Sequence, residues 1–354
     1  MNDPALFGPS MLGRRLDAGL RDIQSNKSSV RRAAARDLAP HINSSERNRV
    51  VTQLSRVMLE DSDTEVRVAA ILALVEGGAI EAIESILVAA RSGPPRIQQM
   101  ALLALGEIAG PGMPEAIKIA FEAIESELPA LRYQGLVTLR CLGQLQATEP
   151  ILLRTTDSDP EVRWVTVRLL EELWASVTEW SVDDAKRLRF EQQAREALRP
   201  LLEDVDRRVR VAATLVLARV GDTSAGECLP NLLAQSGTKL DLEDEELAIE
   251  LAGQLRIQSA RAALERRAWP WLWESSRSWK ARVALAQLGD ERACNAVLQN
   301  LDSRSPAKRA RAIEAAGRIG LQRARPRLLA MLESPSVGEL EAIRTALSRL
   351  GPIS

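Results

Sequence analysis

The residues able to do chemistry are few and scattered. His41 is the single histidine, next to Pro40 at the end of a helical stretch, and it reads as a satisfied or solvated residue, not a catalytic base. Cys141, Cys228 and Cys294 lie far apart without CxxC spacing, the pattern of buried thiols in a reducing compartment. No His/Cys/Asp grouping has zinc-site spacing, and no glycine-rich loop is placed to cradle a phosphate. The carboxylate pairs Glu171-Glu172 and Asp183-Asp184 fit solvated helix faces. The sequence therefore predicts no catalytic residue, no metal and no cofactor. One constellation remains. Residues 254–330 hold 16 Lys+Arg against 6 Asp+Glu and include Trp269, Trp271, Trp273 and Trp279. Basic charge interleaved with aromatic rings suits nucleic acid, with Arg309 and Arg311 as candidate phosphate contacts. Residues 57–130 are conversely acidic, 4 Lys+Arg against 12 Asp+Glu, whereas a DNA-wrapping surface stays basic along its length.

The elements that would position these residues follow from a repeat. An apolar residue, usually followed by Arg, is succeeded by Ala four positions on, Leu eight on, and Gly eleven or twelve on. It is clearest at Val66-Arg67…Ala70…Leu74…Gly77, Leu131-Arg132…Gly135…Leu139…Gly143 and Val209-Arg210…Ala213…Leu217…Gly221. Weaker copies start near Val30, Ile97, Val162, Glu243, Arg277, Lys308 and Glu339, so successive starts lie 31 to 36 residues apart except for one interval of 47. A period of this length means stacked helix pairs, each burying its apolar stripe against its neighbours. First helices are expected at Arg47–Leu59, Ala79–Ala90, Pro114–Glu125, Ala225–Ala234, Ser259–Arg267, Arg292–Asn300 and Arg323–Leu332. Pro95, Pro114, Pro129, Pro160 and Pro306 fall at helix starts, where a missing N–H costs little. Acidic turns such as Glu60-Asp61-Ser62-Asp63, Thr156-Asp157-Ser158-Asp159 and Glu203-Asp204-Val205-Asp206 can cap the second helices. The Arg that follows (Arg67, Arg163, Arg210) can reach a neighbouring unit's carboxylate. The long interval contains an insertion at residues 175–193, whose Ser181-Val-Asp-Asp start suggests a capped, elongated first helix.

The motif Asp-x-x-Val-Arg-x-x-Ala-x-x-x-Leu-x-x-x-Gly resembles the HEAT-repeat family, in the short bacterial form shared with phycobilisome-lyase-like repeats. The resemblance covers roughly Val30 to the C-terminus. It implies an all-α fold, an α-α superhelix (HEAT-like solenoid) of about ten helix pairs, used mainly as a scaffold for macromolecular partners. Residues 1–354 are read as one array, with 1–27 as an N-terminal cap. The resemblance also implies two other functions: a DNA-glycosylase-type protein using the basic 254–330 region, and a chaperone for a tetrapyrrole protein.

Positions 2 and 6 of the second helices, counted from the first motif residue, point away from the buried stripe at positions 4, 8 and 11. In this chain they are largely apolar in the middle of the array and polar at both ends. Val68, Leu72, Leu103, Tyr133, Val137, Trp164, Val211, Leu215, Trp279 and Val283 are therefore the expected partner-binding residues, an apolar ribbon on the inner face. Tight curvature that packs the same side chains between units is the competing reading. The expected occupant is a helix or extended segment of a protein. A net charge of -1, no secretory start and no run of 18 apolar residues point to a cytoplasmic protein off the membrane. Circular dichroism should show a helix-dominated spectrum, and a substantial β signal would contradict the repeat reading.

Overall fold

The computed structural model describes residues 9–143, 148–176, 184–234, 240–270, 275–333 and 338–351. Residues 1–8 of the expected cap, residues 177–183 of the insertion, and Trp271 and Trp273 lie outside them. Among the described residues there are twenty α-helices and no strand. The first ten are α1 (Pro9–Asp22), α2 (Ser28–Leu38), α3 (Arg47–Glu60), α4 (Thr64–Glu76), α5 (Ile83–Ser92), α6 (Pro95–Ile108), α7 (Pro114–Ile124), α8 (Pro129–Cys141), α9 (Thr148–Leu153) and α10 (Pro160–Ser176). The second ten are α11 (Asp184–Leu198), α12 (Arg207–Arg219), α13 (Thr223–Ala234), α14 (Leu242–Gln254), α15 (Arg261–Ala268), α16 (Ser276–Gln287), α17 (Glu291–Leu301), α18 (Pro306–Ile319), α19 (Arg325–Glu333) and α20 (Leu340–Leu350). Taken consecutively they form ten pairs, a HEAT-like solenoid of the size the repeat predicts.

The chain divides into two compact units, Met1–Ala197 and Leu198–Ser354. The division falls inside the 47-residue interval between Val162 and Val209, the one place where the repeat loses its period. Part of the insertion is helical: Ala175 and Ser176 end α10 and residues 184–193 open α11. Trp174 of α10 packs on Phe190 of α11 with ring centroids 5.7 Å apart. In the first unit the even-numbered helices α2, α4, α6, α8 and α10 pack in sequence as one layer, with their pair partners behind them. The second unit repeats the plan with α12 to α20, although α16 and α18 approach each other less closely than α14 and α16 or α18 and α20 do.

The elements form where local chemistry dictates. Each of the five prolines named above is the first residue of its helix: α6, α7, α8, α10 and α18. Asp63 accepts from the Glu65 and Val66 N–H groups, Asp159 from Glu161 N, and Asp206 from Arg208 N, so the acidic turns cap α4, α10 and α12. Val66, Ala70 and Leu74 are fully buried, as are Val209, Ala213 and Leu217, which fixes the stripe of the motif as core. Gly135 replaces the motif Ala in α8 because a Cβ there would stand 2.9 Å from the Ala120 carbonyl oxygen of α7. Gly221 has φ 75° and ends α12 in the left-handed region, but Gly77 has φ -83° and leaves that role to Gly78 at φ 56°. Gly77 is required for space instead, since its added Cβ would lie 2.6 Å from Ile42.

The motif arginine has a larger part than the sequence suggests. Arg132 donates through Nη1 to the Ser126 and Glu127 carbonyls of its own turn, and through Nε and Nη2 to Asp157 in the next pair, at 2.7 and 2.6 Å. Arg31 does the same with Ser25 O and Asp61, and Arg309 with Ser303 O and Glu339. Arg163 and Arg210 hold the carbonyls of their own turns, Asp157 and Ser158, and Asp204 and Val205. Arg67 and Arg210 depart from the expectation: Arg67 donates to the Met58 carbonyl of its own pair and Arg210 to the carbonyls of its own turn, neither to a neighbour's carboxylate.

The Arg132 and Asp157 side chains are only 8% and 3% exposed. Burial pushes the Asp157 carboxyl up, but Arg132, the Asp159 N–H and Arg154 together hold it below the usual carboxylate range. At Asp61 the bond from Arg31 leads the same downward shift. A carboxylate that titrates lower folded than unfolded contributes fully above its unfolded pKa of about 4, and that contribution fades as pH falls through the folded value. Asp157→Asn, which leaves Arg132 buried without its counter-charge, should therefore cost about 3–5 kcal/mol in urea denaturation at pH 7. The difference from wild type should shrink below about pH 4 as the native carboxylate protonates. A penalty independent of pH would show that shape, not charge, is at stake.

Candidate functional site

The second-helix layers decide what the chain can present. In the first unit Val68 is buried, whereas Leu72 on the same helix is 43% exposed. Leu103 of α6, Tyr133 and Val137 of α8, and Trp164 of α10 are half-buried. The Arg168 guanidinium stands 5.7 Å from the Trp164 ring centroid while pairing with Glu171 at 3.0 Å. These residues occupy corresponding positions on successive helices of one layer and keep part of their surface open. In the second unit Val211 and Leu215 of α12 are buried, and Trp279 and Val283 of α16 nearly so, at 8% and 7% exposure. Half of the expected ribbon is therefore packing between helices and half is accessible. In α4 only position 2 is covered, whereas in α12 and α16 both positions are.

Trp279 and Val283 nevertheless border a concavity. A cleft of about 130 Å³ lies among α14, α16 and α18, with Trp279, Val283, Ala284 and Ala315 as its apolar lining. Its rim carries Lys280, Arg311 and Arg318 together with Glu250, Gln287 and Glu314. The Arg311 guanidinium lies 4.5 Å from the Trp279 ring centroid. The Lys280 ammonium is clamped by Glu246 at 2.8 Å and Glu250 at 2.7 Å, and Arg318 pairs with Glu314. Burial works against the Lys280 charge, but the two carboxylates outweigh it and raise its pKa. Reading positions 2 and 6 alone missed Lys280, Ala284, Gln287, Ala315 and Arg318. The signal was present one residue on: counted from Arg277 and Lys308, positions 3, 7 and 10 give Lys280/Ala284/Gln287 and Arg311/Ala315/Arg318, a single helical stripe.

The basic region is not a free cationic surface. Arg267 and Arg277 share Glu245 at 2.8 and 2.7 Å, Arg261 pairs with Asp290, Arg309 with Glu339, Arg323 with Glu291 and Arg327 with Asp302. Burial raises the Glu245 carboxyl, yet the two arginines bring it below its ordinary range. Part of the excess of cations in residues 254–330 is thus met by carboxylates lying outside that window: Glu245, Glu246, Glu250 and Glu339. Trp269 is flanked by Arg282 and Arg292, at 4.6 and 3.9 Å from its ring centroid.

The remaining reactive groups are dispersed. His41 is buried in a short 3-10 turn after α2. The expectation of three buried thiols holds for Cys294 alone: Cys228 is half-buried and Cys141 exposed. Cys141 ends α8, and partial burial of its sulfur with the nearby Glu107 raises its pKa. Among the described residues no group of three His, Cys, Asp or Glu could hold a metal ion, and no helix is long and apolar enough to cross a membrane.

A Trp279→Ser variant should lose about 3–5 kcal/mol of stability and Leu72→Ser less than about 0.5, read by chemical denaturation. Equal costs would mean that the two side chains do not differ in packing as described.

The comparisons agree with this architecture. Residues 278–348 match the family model for HEAT repeats. The fold matches yeast importin-beta, Kap95p, at 14% identity and a TM-score of 0.51, covering 97% of this chain and 51% of that one. Kap95p in a structure concerned with its binding of RanGDP matches at 15% identity, TM-score 0.51, with 97% and 51% covered. A Kap121p mutant matches at 13% identity and a TM-score of 0.52, over 97% of this chain and 41% of its own. The chain thus spans about half the length of these proteins or less, and at such identities the likeness is one of fold. No curated protein matches the chain by sequence. Nothing in these matches singles out the phycobilisome-lyase-like subtype. With helix pairs packed side by side within each unit, a motif that sets their core, and a match to the repeat model at residues 278–348, the chain has the fold of a HEAT-repeat solenoid.

Proposed function

We propose that the chain is a non-enzymatic scaffold that holds a helix or extended segment of a partner protein against the second-helix layer of its first unit. The observation that carries this reading is the row of incompletely covered apolar side chains on α4, α6, α8 and α10: Leu72, Leu103, Tyr133, Val137 and Trp164. Large apolar groups left open at one register of successive helices are the usual mark of an interaction surface. Tyrosine and tryptophan add the apolar body and polar tip that protein interfaces favour. The fold likeness to Kap95p, whose structure concerns its binding of RanGDP, supports protein binding as a use of such stacks. Nucleic acid is disfavoured as the ligand, because phosphate contacts at Arg309, Arg277 or Lys280 would have to break ion pairs within the chain.

Affinity capture from the host with the tagged chain tests the reading. A partner held by wild type should survive nuclease treatment and be lost with Leu72→Ser/Trp164→Ser, while the variant remains folded and helical. Recovery that is equal for the double variant, or that vanishes with nuclease, would overturn the proposal.

A further inference from the structure

The cleft bordered by Trp279 lies in the second unit, apart from the surface assigned above, and its size and lining restrict what can enter it. Clefts that take nucleotides, cofactors or drug-sized molecules usually measure about 300–1,000 Å³. This one measures about 130 Å³. An apolar cavity of roughly 150 Å³ accommodates benzene. The cleft therefore has room for one side chain and for little else.

The charges around it narrow the chemistry. Lys280 is held between Glu246 and Glu250, and Arg318 is held by Glu314, so an anion or cation entering the cleft would compete with ion pairs already made. An apolar group breaks none of them. It would meet Trp279, Val283, Ala284 and Ala315 below and the Arg311 guanidinium stacked on Trp279 at the side, a flat cation that tolerates a ring as well as an aliphatic chain. The rim also offers both donors and acceptors, including the Gln287 amide, to the main chain on either side of an inserted residue.

We propose that this cleft is an anchor pocket for a single apolar side chain, no larger than phenylalanine, delivered by a segment of a protein partner. The inference rests on the reading that the chain binds protein, and it adds the class of residue the partner must present. Interfaces concentrate their affinity in a few such anchors, each seated in a preformed pocket ringed by polar contacts.

The probes are N-acetyl methylamides of phenylalanine, leucine, glutamate and lysine, titrated into the full chain labelled with 15N at tryptophan. The Trp279 indole resonance is assigned with Trp279→Phe. The phenylalanine or leucine amide should give a saturable shift of that resonance at millimolar concentration. Binding should weaken at least tenfold in Ala315→Leu, which fills the cleft, and should be unchanged in Val205→Ser, at an exposed turn before α12. Should Ala315→Leu fail to fold, Val283→Ala serves in its place: the widened cleft should shift preference from the phenylalanine amide towards the naphthylalanine amide. No saturable shift with either apolar amide, an equal response to the charged amides, or indifference to both cleft variants would overturn the proposal. Because the titration uses no partner, it can fail while the capture experiment succeeds, and the reverse.

Discussion

The constraint on which the stack depends is the fate of the carbonyls in each tight turn between paired helices. A turn pressed between neighbouring pairs points several carbonyl oxygens away from water, and a buried acceptor left without a donor costs about 1–3 kcal/mol. The motif arginine answers this with one planar group. In Arg132, Nη1 serves two turn carbonyls while Nε and Nη2 grip the carboxylate of the following turn. Lysine could not do so, because its ammonium lacks the fixed fork that meets carbonyl and carboxylate at once. The carboxylate is itself held, since Asp157 accepts from the Asp159 N–H and Asp61 from the Asp63 N–H. Each contact thus sets the shape of two turns and the spacing between two helix pairs. Buried ion pairs of this sort contribute less to net stability than to fixing one arrangement against others.

That use of arginine changes what charge counts mean in this molecule. A linear window over residues 254–330 gathers cations whose partners lie one repeat away, at Glu245, Glu246, Glu250 and Glu339. In a globular domain such pairs would fall anywhere in the sequence. In a repeat they fall about 30 residues away by construction, so any window cut at a repeat boundary acquires a spurious sign. Trp269, one of the four tryptophans in the nucleic-acid signature, has Arg282 and Arg292 on its ring and is one more instance of the same internal pairing.

The fold was legible because its determinants are local. Proline at the first helical position, aspartate at the caps and a fully buried Val-Ala-Leu stripe each follow from one turn of helix and its immediate neighbours. The division into two units falls within the lost period between Val162 and Val209, although the repeat was read as one array. The surface was less legible because exposure depends on what lies across from a residue. Val68 and Leu72 share a helix and an apolar character, yet one is covered by the adjacent helix and the other is not. Helical periodicity tells which residues lie along one stripe and is silent about how closely the next helix approaches. Cys141 was misjudged for the same reason: whether a thiol at a helix end is covered is decided by its neighbours.

Helix approach also explains why a cleft forms beside Trp279. Within the second unit α16 packs closely on α14, and α20 on α18, while α18 stands further from α16. Both sides of that looser junction carry alanine at position 7, Ala284 and Ala315, so neither helix fills the space between them. Alanine pairs at this register also occur between α4 and α6 (Ala73, Ala104) and between α18 and α20 (Ala315, Ala346), but there the helices pack closely and leave no such space. Trp279 and Arg311 wall the opening, and their stacking keeps a wide apolar surface in place without help from a partner. An anchor site of this kind needs no loop to order and no helix to move, since the void follows from two alanines meeting where the stack is already spread.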